Sequence, residues 1–105
     1  MVETLESIKA LLESTGLPVA YRAFPEGAAP VLPFICYLVS GSRNLFADGG
    51  VYLEVDLIQI ELYTKEKDPM AEDKVEKALS YFHWEKTETY IDSEKCYQIL
   101  YEIEV

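Results

Sequence analysis

A chain of 105 residues, half of them hydrophobic, can bury about 65% of its unfolded surface around one core, and it is too short for separate substrate and cofactor domains. Its 19 acidic residues against nine basic ones give a formal charge of −10, which repels phosphate backbones and anionic lipid headgroups and so argues against nucleic acid and membrane surfaces as partners. Eight Tyr, four Phe and one Trp exclude a disordered tail and suit strands and interfaces. One domain over residues 1–105 is expected. If identical copies associate, the charge opposes them, so their contacts need an apolar centre or alternating charge across the seam.

The N-terminus has neither a basic leader nor a long apolar segment, and no run approaches the roughly 18 residues that span a bilayer, so a protein made and kept soluble in cytoplasm is expected. Residues 3–15 place Leu5, Ile8, Leu11 and Leu12 on one helical face, with Glu6, Lys9 and Glu13 outside. Gly16 can take the left-handed conformation that ends a helix, and Pro18 prevents continuation. Val19 to Phe24 alternates weakly into a loop with Pro25, Gly27 and Pro30, and Pro33 to Val39 has no polar residue, as expected of a strand covered on both faces. Residues 40–50, SGSRNLFADGG, read as a mobile loop, too long for a tight hairpin turn. Leu45 and Phe46 in that loop either tuck onto their own domain or meet a partner.

Val51 to Thr64 is the longest strand pattern, and at ~3.3 Å per residue it would span roughly 46 Å. Val51, Leu53, Val55 and Leu57 share one face, but from Ile58 the apolar set becomes Ile58, Ile60 and Leu62. The phase slip predicts either a bulge near Leu57 and Ile58 or a first half that projects from the domain and buries its odd face elsewhere. A second helix follows, with Asp68 as N-cap, Pro69 at the first helical position, and a stripe of Ala71, Val75, Ala78, Leu79 and Phe82. Trp84 to Ile91 and Lys95 to Val105 read as a closing hairpin around Asp92 and Ser93. The order α-β-β-β-α-β-β makes an α+β fold: an antiparallel-dominated sheet, two helices on one face, and a long hairpin around residues 40–50.

Chemistry is sparse. His83, the single histidine, falls at the end of the second helix between Phe82 and Trp84, a position that suits a structural imidazole better than a catalytic one. Carboxylates abound without EF-hand spacing or a histidine partner, and no GxxxxGK or GxGxxG frames Gly49 and Gly50, so no metal, nucleotide or other cofactor is expected. The tyrosines lack the basic groove that would make them a stacking platform for bases. Cys36 and Cys96 match no metal spacing and read as two reduced, buried or half-buried side chains, with a bridge between neighbouring strands as the alternative.

Residues 32–64, then KDPMAEDKVEKAL and ETYIDSEKCYQILYEIEV, resemble the small tail-completion or head-tail joining (neck) proteins of long-tailed bacteriophages. The signs are LPF opening the apolar strand, NLFAD in the loop, IELYT before the acidic helix, and YIDSE in the hairpin. The resemblance implies a non-enzymatic virion component, made in the bacterial cytoplasm, that assembles as a ring, commonly of six subunits, on the tail end and meets tail or head-connector proteins. Under it the long hairpin reaches a neighbour or the connector through Arg43, Asn44, Leu45, Phe46 and Tyr52. The other readings are a cellular protein-interaction or regulatory domain that dimerises through an exposed strand, and a small enzyme using His83.

Overall fold

Thr4 caps the first helix through a reciprocal pair with Ser7: each hydroxyl oxygen accepts from the other residue's backbone N–H, at 3.1 and 3.0 Å. The computed structural model describes residues 4–105, and of Tyr52 the backbone only. In chain order the elements are α1 (Leu5–Glu13), β1 (Val19–Tyr21), β2 (Phe34–Ser42), β3 (Leu45–Ala47), β4 (Gly50–Leu53), β5 (Asp56–Thr64), α2 (Pro69–Ala78), β6 (Glu85–Ile91) and β7 (Cys96–Glu104). Gly16, at φ +83°, takes the left-handed conformation expected where α1 ends. At the start of α2 the Asp68 carboxylate accepts from the Ala71 N–H at 3.1 Å, with Pro69 as the first helical residue. This helix ends at Ala78 with Leu79 as its cap, so His83 lies beyond it, short of β6.

The main sheet has five strands in the order β1-β2-β5-β7-β6. All pairs are antiparallel except β1 with β2, which run parallel, so the sheet is mixed and dominated by antiparallel pairing. Three rows cross its centre: Ile35, Leu62 and Ile99; Tyr37, Ile60 and Tyr101; Val39, Ile58 and Ile103. They form one core with Ile8 and Leu12 of α1, Ala71 and Val75 of α2 and its cap Leu79, which puts both helices on one face. Each fully buried Ile or Leu contributes about 1.5–3 kcal/mol, and these rows are where the fold draws most of its stability.

The opposite face carries Phe34, Cys36 and Leu38 on β2, Tyr63 and Glu61 on β5, and Cys96, Gln98 and Leu100 on β7. Phe24, from the loop after β1, lays its ring edge against Phe34 at 5.1 Å. Burial, reinforced by the Glu61 charge, pushes the Cys36 thiol up to about 11. Both cysteines are free and buried. Cys36 pairs with Glu61, which pairs with Leu100, four positions along β7 from Cys96. At ~3.3 Å per residue and ~4.8 Å per strand the two thiols are far beyond disulfide reach.

The sheet corrects the expected strand over Val51–Thr64 and the expected loop over 40–50. Two strands occupy the first stretch, β4 and β5, with a break at Glu54 and Val55. Strand β2 runs on to Ser42, and β3 and β4 form a separate two-stranded ladder in place of the loop. Its turn is tight: Ala47 pairs with Gly50, and Asp48 and Gly49 have φ of 50° and 80°, the positive pair that a type I′ turn requires. The bulge expected at Leu57 and Ile58 falls there, on the partner strand: Val39 pairs with Ile58 and Gly41 with Leu57, leaving Ser40 over. Its hydroxyl donates to the Leu57 carbonyl at 3.3 Å.

Candidate interaction surface

The β3-β4 ladder projects from the end of the sheet where β2 finishes and β5 begins. The molecule measures 50 × 26 × 23 Å, and its radius of gyration is 14.9 Å against about 13 Å for a compact domain of this length. Two cross-strand pairs fill the hairpin, Leu45 with Leu53 and Phe46 with Val51. All four side chains are open to solvent: Leu45 is 50% exposed, Phe46 71%, Val51 50% and Leu53 45%. Leu45 and Phe46 are consecutive on β3, so the two pairs stand on opposite faces of the ribbon and leave apolar surface exposed on both.

Arg43 and Asn44 sit at the hairpin root. The Arg43 N–H donates to the Val55 carbonyl at 2.8 Å, and the Asn44 side-chain oxygen accepts from the Val55 N–H at 3.3 Å. Arg43 also ion-pairs with Glu104 at the end of β7. Beyond them, Asp56 and Val105 exchange both backbone hydrogen bonds, at 2.9 and 3.0 Å, closing the sheet below the hairpin. These two side chains therefore aim the ribbon, while Leu45 and Phe46 stand on it. The Tyr52 side chain lies outside what the structure describes; its backbone is the extra residue between Val51 and Leu53 in the ladder.

At the root, Leu53, Val55, Tyr81, Phe82, His83 and Val105 line an open depression beside the hairpin. His83 borders a second one with Ser40, Glu85, Glu102 and Glu104. Among the described residues no hydrogen bond or ion pair joins His83 to Ser40 or to any of those carboxylates. The residues are neighbours without the nucleophile-base or base-orienter contacts of a catalytic group.

At the other end of the long axis, Lys65, Glu66, Lys67, Tyr90, Lys95 and Tyr97 surround a further depression. Tyr90 and Tyr97 meet edge to face, with centroids 4.9 Å apart. Lys67 is committed to Glu72 and Glu88, each 2.6 Å away, whereas Lys65 and Lys95 have no ion-pair partner among the described residues. The sequence reading missed this site because Lys65 and Lys95 come together only when β5 pairs with β7, Thr64 lying opposite Tyr97.

No family model matches the chain, and a search of curated proteins finds no significant match. Among the described residues no helix is long and apolar enough to cross a membrane.

Proposed function

We propose that the protein is a non-enzymatic component of a phage or prophage virion, which completes the tail tube and joins it to the head connector as a ring of identical subunits. The observation that carries this reading is the projecting hairpin: four large apolar side chains held in a short ladder beyond the sheet, on a chain of formal charge −10. A ribbon of that kind reaches a surface that the domain itself does not touch. The resemblance to neck proteins supplies the setting, and copies of the chain and tail or connector proteins are the partners it implies.

The reading as an edge-to-edge dimer is less well supported. The outer edge β6 carries Glu85, Lys86 and Glu88, all exposed, and charged side chains on an edge strand discourage the addition of another strand.

Changing Leu45 and Phe46 together to Ser tests the proposal. Thermal unfolding of the isolated chain should be unchanged within about 0.5 kcal/mol, as for surface positions generally, while particles carrying the double variant should fail to join heads to tails. A variant that unfolds the monomer, or one that joins normally, counts against it.

A further inference from the structure

We infer that the hairpin of one copy docks on the lysine- and tyrosine-lined depression at the opposite end of the next copy, in a head-to-tail contact. This deepens the ring reading and rests on it. The argument is one of charge and position. Asp48, in the turn, and Glu54, just past β4, flank the hairpin's apolar pairs, and neither has an ion-pair partner among the described residues. Across the molecule Lys65 and Lys95 are likewise unpaired beside Tyr90 and Tyr97, and without counting Lys67, which Glu72 and Glu88 hold, they outnumber Glu66, the one acid lining that depression. In a chain with nine basic residues against 19 acidic ones, few places can receive an acidic tip, and this one adds exposed aromatic surface for Leu45 and Phe46.

The contact joins two different patches, so it propagates from copy to copy and closes into a ring when the rotation per step allows. A contact of hairpin with hairpin would set Asp48 and Glu54 against their own copies, which costs affinity. Strand β5 separates the two patches: at ~3.3 Å per residue it runs about 30 Å from the hairpin root to Lys65, so one copy cannot satisfy its own hairpin. Four side chains and a turn bury less than the ~800 Å² per partner of a standard stable complex, so single contacts are weak in solution.

The test is sedimentation equilibrium at low salt, at protein concentrations up to about 1 mM, where a weak contact registers. One variant carries Asp48→Asn and Glu54→Lys, the other Lys65→Glu and Lys95→Asn. Asn is chosen because Asp48 and Lys95, at φ 50° and 52°, are left-handed, which Asn tolerates. The wild type should self-associate and lose affinity as salt rises; each variant alone should associate at least about tenfold more weakly; an equimolar mixture should return to within about threefold of wild type, because each hairpin then finds an opposite charge. Unchanged circular dichroism melts establish that both variants fold. A wild type that stays monomeric, variants that associate as it does, or a mixture that fails to recover each overturns the contact. If wild-type protein completes tails without self-associating, the contact alone fails; if charge-swapped copies recover association while the wild type does not join particles, the joining reading alone fails.

Discussion

Glu72 is a carboxylate on the buried side of α2, 4% exposed, where a lone charge would be costly. Lys67 Nζ lies 2.6 Å from its Oε2, an ion pair out of line for a hydrogen bond, and Lys86 donates to Oε1 at 3.1 Å and to Glu76 Oε2 at 2.7 Å. The buried Tyr101 hydroxyl donates to the same Glu76 oxygen at 2.8 Å. Burial alone raises the Glu72 pKa, but the contacts with Lys67 and Lys86 outweigh it and hold the carboxyl below its ordinary value. A depressed folded pKa means stability that is present above the ordinary carboxylate range and lost as pH falls through the folded value. Glu72→Gln should therefore cost about 1–3 kcal/mol at pH 7, and the gap from wild type should close as the pH falls through the depressed folded value. Melting temperatures from pH 7 to pH 2.5 check this, and a gap that stays constant with pH contradicts it. In the sequence Glu72 is one acidic residue among several after Pro69; its pairing while buried depends on Lys86 arriving from β6, which no local pattern reveals.

The hairpin is the element on which the functional reading depends, and its stability is local. Gly49 sits at φ +80°, so Gly49→Val should destabilise the turn by about 1 kcal/mol or more while leaving the distant core rows untouched. Hydrogen exchange at the amides of β3 and β4 should quicken several-fold with the exchange of β5 and β7 unchanged; a matching loss in the central strands would mean that the ladder is part of the core. The helix end at Gly16, the cap at Asp68 and the phase slip at Leu57 and Ile58 were legible because each leaves a local signature. The turn was not. Gly, Ser and Asn over residues 40–50 look like loop composition, and Asp48-Gly49 reveals itself as a tight turn only with Leu45 and Phe46 taken as strand residues. Nor can a slip in β5 say that the extra residue is Ser40 on its partner, or that the short β1 pairs parallel to β2. Leu45 and Phe46 were visible as apolar residues without an evident core, whereas the roles of Arg43 and Asn44 at the root follow from Val55 and Glu104 being brought to them.

At the scale of the whole molecule the two ends differ in kind. One end carries an apolar ribbon edged by Asp48 and Glu54, the other unpaired lysines around two tyrosines. The formal charge of −10 opposes association, so in the proposed ring the contacts fall where acidic tips meet the few basic places, with apolar surface between them. On a tail end that already holds several copies close together, weak contacts of this kind add through effective concentration. The most direct measurement is electron microscopy of purified tail tubes incubated with the chain, alongside a version in which residues 45–53 are replaced by a two-residue turn. The account predicts a ring of added density at one end of the tube with the full chain and bare tubes with the shortened one; bare tubes with both, or equal decoration by both, would contradict it.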